Sequence, residues 1–141
     1  MPFNLKCVVD NLKLLWNKKD KTYSNNLGVS TRIPYSHGST KGIEWLDPKL
    51  KLGWPFHGKW MKTLVKGMEA AGGKRNISIR GFPYDWRYAP STVFYMDLTS
   101  LVERTYWENG KQRVTLLSYS MGCNYVLWFL NNKGDTYLIG S

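Results

Sequence analysis

The residues best typed and spaced for chemistry are Ser118-Tyr119-Ser120-Met121-Gly122. Val114-Thr115-Leu116-Leu117 precedes them as an apolar, partly β-branched run, and Cys123-Asn124-Tyr125-Val126-Leu127-Trp128-Phe129-Leu130 follows with helical spacing. That order predicts a strand, a sharp turn and a helix. A serine on such a turn, flanked by small residues in the pattern G-x-S-x-G, exposes its hydroxyl at the top of a sheet as a nucleophile. Ser118 stands here for the first glycine, and Gly122 is expected to let the helix pack tightly on the turn. The chemistry implied is attack of the Ser120 hydroxyl on an acyl carbonyl, with the Met121 backbone N–H donating to the oxyanion that develops. Alone, the string also suits an ordinary strand end. The apolar run before it and the helix after it favour the nucleophile.

Stepping outward from the serine, the chain alternates strands and helices. Val8, Leu12 and Leu15 have the spacing of a short helix, and the rest of residues 1–27 mixes lysines with polar turn formers. Val29, Thr31 and Ile33 alternate as a strand would, stopped by Pro34. Residues 34–58 form a Gly-, Pro- and Ser-rich loop carrying Trp45, Leu46, Trp54 and Phe56, and loops of this length are generally functional or packed. Lys59 to Ala71 is the clearest amphipathic helix, with Trp60, Leu64, Met68 and Ala71 on one face and Gly72-Gly73 at its end. Ile77 to Phe82 reads as a strand closed by Pro83. Leu98, Leu101, Val102 and Thr105 make the inner face of a helix ended by Asn109-Gly110. Thr136 to Ile139 looks like a last strand. This alternation is the pattern of an α/β fold with a mainly parallel sheet.

At 141 residues the chain has the length of one domain, with a high aromatic share of 15%. The net charge of +10 is uneven: residues 1–75 carry 14 Lys+Arg against 5 Asp+Glu (+9), and residues 76–141 carry 6 against 5 (+1). A basic half can adsorb to anionic lipid or nucleic acid. The lysines are dispersed through amphipathic segments, so most are read as a solvated surface and no nucleic-acid partner is expected. No stretch approaches the roughly 20 apolar residues of a transmembrane helix. Met1 to Lys6 lacks the apolar core of a signal peptide. Cys7 and Cys123 lack metal spacing, and no metal or cofactor is expected. Cys123 is read as a buried small hydrophobe. Asn76-Ile77-Ser78 is a glycosylation sequon, meaningful in a secretory context.

Several stretches together resemble the lecithin:cholesterol acyltransferase family, which includes lysosomal phospholipase A2 and the phospholipid:diacylglycerol acyltransferases. The matching pieces are Cys7-Val8-Val9-Asp10-Asn11-Leu12, Gly28-Val29-Ser30-Thr31-Arg32-Ile33-Pro34, Glu44-Trp45-Leu46-Asp47-Pro48 and Phe56-His57. Pro83-Tyr84-Asp85-Trp86-Arg87-Tyr88-Ala89-Pro90 and the Ser118–Gly122 turn are the specific part. The resemblance implies an α/β-hydrolase fold and serine-dependent removal of an acyl chain from a glycerophospholipid through an acyl-enzyme. Water or a lipid alcohol would accept the acyl group at a membrane surface, in the secreted or lysosomal lumen. By position, Ser120 would be the nucleophile and Met121 N–H one oxyanion donor. Residues 1–58 would match the membrane-binding, lid-side region, and residues 59–141 the core up to the nucleophile. Cys7 resembles a family cysteine that closes a small disulfide loop.

The chain departs from the family at Tyr119, where histidine is usual, and at Ser118, where alanine is frequent. In this fold the triad runs in the order serine, acid, histidine. After Ser120 there is no histidine, and the sole acid is Asp135. His37 and His57 precede the serine and do not match the family's base. The expectation is an incomplete, truncated α/β-hydrolase domain, inactive or poorly soluble by itself; the alternative is a non-catalytic lipid-surface binder of the same fold. Asp85 and Arg87 are read as a structural ion pair, His57 as a loop or helix-cap histidine, and the tryptophans as either core or lipid-facing.

Overall fold

The computed structural model describes residues 5–45 and 57–133. The chain divides into two compact units, Met1–Ile33 with Asp85–Ala89, and Pro34–Tyr84 with Pro90–Ser141.

The first unit begins with helix α1, Leu5–Leu12, followed at once by strands β1, Leu14–Asn17, and β2, Thr22–Asn25. The strands pair antiparallel, with Leu14 opposite Asn25 and Trp16 opposite Tyr23. The Trp16 and Tyr23 rings sit 4.7 Å apart, a cross-strand aromatic pair of the kind that stabilises isolated hairpins. Asn17 organises the turn: its Oδ1 accepts from Lys19 N at 3.0 Å, and its Nδ2 donates to Asp20 Oδ2 at 2.6 Å. Lys21 takes the left-handed φ of 53° that returns the chain to β2. The lysine-rich turn hid this hairpin from the sequence pattern, although β-forming residues flank it. Leu15, expected in a helix, lies in β1.

Arg87 ties the 85–89 segment to the hairpin. Its guanidinium donates to Asn25 Oδ1 at 2.9 Å, Thr31 Oγ1 at 2.8 Å, Leu12 O at 3.2 Å and Asp85 Oδ2 at 2.6 Å. The Arg87 side chain is 5% exposed, so these bonds replace water lost on burial. The strand expected at Gly28–Ile33 is absent. Leu27-Gly28 turns instead, with Gly28 at φ 76°, and Thr31 spends its hydroxyl on Arg87.

The second unit holds α2 (Lys41–Glu44), α3 (His57–Ala70), α4 (Thr92–Glu108) and α5 (Gly122–Lys133). Local chemistry sets the helix ends. Ser91 caps α4, its hydroxyl accepting from Phe94 N at 3.3 Å. Gly72 (φ 95°) and Gly110 (φ 68°) end α3 and α4 in left-handed conformation, and Gly73 N and Lys111 N each donate to the carbonyl five residues back, Met68 and Tyr106. Val65, Leu98, Leu101, Tyr125 and Phe129 form the core with Ile79. Val65 is the fully buried residue of α3, while Trp60, expected inside, is 46% exposed. The inner face is therefore rotated by about one residue from the expected stripe, which moves it roughly 100° around the helix.

Aromatic rings extend this core: Phe94 lies edge-on to Phe82 and Tyr84, and Tyr84 lies 4.3 Å from Tyr125. A charged knot supports α2, where Glu44 is buried. Arg75 bonds Glu44, reaches Thr40 Oγ1 at 3.1 Å and pairs bidentately with Glu69 at 3.0 Å. The knot holds the Glu69 carboxyl below its usual range, chiefly through the Arg75 hydrogen bond. The strand expected at Ile77–Phe82 is a turn with one isolated parallel bridge, Arg75 to Ile79. Val114–Leu117 runs without a ladder partner among the described residues, which contain the β1–β2 hairpin and no parallel sheet. The strand expected at Thr136–Ile139, together with Trp54, lies outside the described residues.

Candidate active site

Ser120 closes the turn between the 114–117 stretch and α5. Its φ of 53° is left-handed, a conformation that disfavours a residue with a β-carbon. Tyr119 O accepts from Gly122 N and Ser120 O from Cys123 N, both at 3.0 Å, so the bend locks directly into the first turn of α5. Ser118 Oγ donates to Cys123 Sγ at 3.4 Å across the same bend. Neither the Ser120 hydroxyl nor the Met121 N–H has a hydrogen-bond partner among the described residues, and Ser120 is exposed. The unclaimed Met121 N–H is one of the donors every helix start leaves free.

Two neighbours, Trp60 and Tyr84, frame the turn. Tyr119 packs its ring 5.1 Å from Trp60 of α3. Tyr84 lies beneath Gly122: a β-carbon there would stand 3.5 Å from its hydroxyl and 3.9 Å from Ser118 Cβ, ordinary contacts. The expected steric need for glycine at 122 is therefore weaker than the motif suggests. Burial pushes the Tyr84 phenol up from its usual pKa and keeps it neutral. Cys123, expected to be buried, is exposed, because it lies on the outer side of α5 while Tyr125 and Phe129 face the core. Cys7 is exposed in α1, and Asn11 Nδ2 donates to its sulfur at 3.5 Å.

The described contacts of His37 do not include Ser120. His37 stacks on Phe82 at 4.2 Å, has Nε2 3.1 Å from Pro83 O and Nδ1 3.9 Å from Asp97 Oδ2. His57 opens α3, and its side chain lies outside the described residues, as does Asp135. Asp85 and Arg87 form the structural pair anticipated, and the Arg87 hydrogen bond lowers the Asp85 carboxyl below its usual range. Trp86 is 59% exposed, and Lys62 Nζ sits 3.0 Å over the Trp45 ring. Among the described residues no group of three His, Cys, Asp or Glu side chains could hold a metal ion, and no helix is long and apolar enough to cross a membrane.

A family model for lecithin:cholesterol acyltransferase matches residues 1–137. The chain belongs to the lecithin:cholesterol acyltransferase family. It is 41% identical to lecithin-cholesterol acyltransferase-like 1 of Arabidopsis thaliana over 96% of this chain and 32% of that protein. It is 35% identical to the phosphatidylcholine-sterol acyltransferase of Gerbilliscus gambianus, over 95% of this chain and 44% of the relative. The human lysosomal phospholipase A and acyltransferase is likewise 35% identical, over 97% and 32%. The chain thus spans less than half the length of these family members.

Proposed function

We propose that this chain carries the nucleophile of an α/β-hydrolase that removes an acyl chain from a phospholipid and passes it to water or a lipid alcohol. One observation carries the reading: a serine held at φ 53° on the bend into a helix, its hydroxyl exposed and the next backbone N–H unclaimed. Backbone strain concentrates at sites of chemistry, and this bend is where a nucleophile elbow stores it.

Ser120 Oγ attacks the ester carbonyl carbon as its proton passes to a general base. The carbonyl oxygen gains the electron pair and accepts from Met121 N–H. Collapse expels the lipid alkoxide, which takes a proton, and leaves the acyl group on Ser120. Attack by water or an alcohol hydroxyl then releases it. The base is neither His37 nor His57, because both precede the nucleophile and His37 is stacked and turned to Pro83 O. The sequence holds no other histidine to take the proton. In the full-length protein, Ser120→Ala should abolish fatty acid release from phospholipid vesicles. Release that survives the substitution would overturn the assignment.

The hairpin favours a second reading, adsorption to an anionic lipid surface, with or without catalysis. Lys18, Lys19 and Lys21 lie in its turn, and Trp16 and Tyr23 are 47% and 52% exposed beside them. Each lysine near such a surface contributes about 1 kcal/mol, screened by salt. Co-sedimentation with anionic vesicles should weaken as salt rises, and binding indifferent to lipid charge would count against it. We further propose that the protein acts in the secreted or lysosomal lumen, a reading supported by its similarity to a lysosomal phospholipase A and acyltransferase.

A further inference from the structure

A second polar site lies in the Pro34–Tyr84, Pro90–Ser141 unit, in a cleft of about 410 Å³ between the Ser36–Ser39 loop, the turn after α3 and the C-terminal half of α4. Gly38 forms its floor, with φ 100° and its N–H bonded to Gly81 O at 2.8 Å. The point where a β-carbon would stand on Gly38 lies 3.1 Å from Arg104 Nη2 and 3.9 Å from Arg80 Nη1. Two guanidiniums therefore converge over one glycine that has no side chain to shield them.

Their charges are balanced unequally. The Arg80 side chain is 7% exposed, pairs with Glu108 through Nη2 and donates Nε to Ile77 O at 2.6 Å. Arg104 has no carboxylate partner among the described residues, and its one bond goes from Nη2 to His37 O at 3.3 Å. The lining thus holds two positive charges against one negative, leaving one uncompensated cation. Unclaimed donors surround it. Asn76 turns its Oδ1 to Thr40 N at 2.9 Å, which leaves the amide N–H groups, and the Ser36 hydroxyl also lines the cleft.

We propose that this cleft binds a singly charged phosphate ester, with Arg104 as its principal partner and Ser36 and Asn76 as neutral donors. An arginine fork without a carboxylate partner can match a phosphate oxygen pair bidentately. The single excess charge suits a monoanionic phosphodiester, because a dianion would leave the cleft with one negative charge in excess. The site makes no use of Ser120, so its failure would leave the nucleophile assignment standing.

The test uses the full chain produced in a bacterial host, since a glycan on Asn76 would occupy the cleft. Isothermal titration with dimethyl phosphate should show saturable binding at one site, unchanged in Ser120→Ala. Arg104→Met should weaken it by roughly tenfold or more, as loss of a charge-assisted bond does, and Ser36→Ala by a smaller factor. Lys66→Met, which is not among the lining residues, should leave it unaltered. Circular dichroism checks that each variant folds; Arg104 and Ser36 are both exposed. Competition by phosphatidylglycerol vesicles would identify the bound ester as a lipid headgroup, and its absence as a soluble phosphate ester; both support the site. No saturable binding, or a folded Arg104→Met that binds like the parent, overturns it.

Discussion

Arg87 and Ser120 each sit in a short irregular segment, yet the fold treats them in opposite ways. Arg87 is almost completely buried, and its guanidinium meets an acid, two side-chain oxygens and a carbonyl. Ser120 is exposed and strained, and its hydroxyl has no hydrogen-bond partner among the described residues. A charge enclosed by matching acceptors is structural, because the N–H donors that could bind a ligand are already engaged. A reactive group held open on a bent backbone has the reverse properties. It costs stability and keeps its chemistry available.

The contrast is sharpest if the two residues are broken separately. Ser120→Ala should reduce acyl release by at least about 10⁴-fold, the scale on which removal of a nucleophile acts in serine hydrolases. It should leave the thermal midpoint nearly unchanged, because the hydroxyl holds no described neighbour. Arg87→Met should do the opposite to stability. It strands Asp85 and removes the ties to Leu12, Asn25 and Thr31, at a cost of about 3 kcal/mol. Chemical denaturation of the two variants measures both effects. Equal destabilisation by the two substitutions would erase the distinction.

Acid should then separate the regions without mutation. Asp85 is held below the ordinary carboxylate range in the folded chain by Arg87, so the folded state favours the ionised form. Its stabilising contribution is complete above the unfolded carboxyl pKa of roughly 4 and is lost as pH falls from there through the lowered folded value. Unfolding titrations in that acid window should show a drop for the parent chain that is smaller in Asp85→Asn. An Asp85→Asn variant with the same acid slope would show that other carboxylates carry it.

Which of these features the sequence revealed follows from how local their causes are. The ends of α3 and α4 were legible because Gly72-Gly73 and Asn109-Gly110 stop a helix by their own backbone preferences. The bend at Ser118–Gly122 and the helix after it were legible for the same reason, since small residues lie between two apolar runs. The expected strands at Gly28–Ile33 and Ile77–Phe82 fared worse, because a strand exists only with a partner and alternation names none. Arg87 is the clearest case. The pairing with Asp85, two residues away, was anticipated, but its bonds to Leu12 and Thr31 span 75 and 56 residues. The guanidinium cleft was missed because Gly38, Arg80 and Arg104 form no motif in the chain.

The smallest expected effect probes the strain itself. Ser120 shares its left-handed φ with Lys21, Asn76 and Lys111, which lie in turns without an exposed nucleophile. Glycine adopts that conformation without a β-carbon clash, so Ser120→Gly relieves roughly 1 kcal/mol in the folded state. It also loosens the unfolded chain, which takes back about 0.5–1 kcal/mol. The net change should be a slight stabilisation or none, whereas Ser120→Ala keeps the clash and gains nothing. Lys111→Gly serves as the reference, since it follows the α4 cap and makes the same exchange of strain for chain entropy, apart from the lost ammonium contact 4.9 Å over the Trp107 ring. If Ser120→Gly matches Lys111→Gly in denaturant midpoint while abolishing acyl release, the bend is an ordinary turn energetically and its function rests on the exposed hydroxyl. If Ser120→Gly stabilises markedly more, the fold holds strain at this serine beyond what its turn requires.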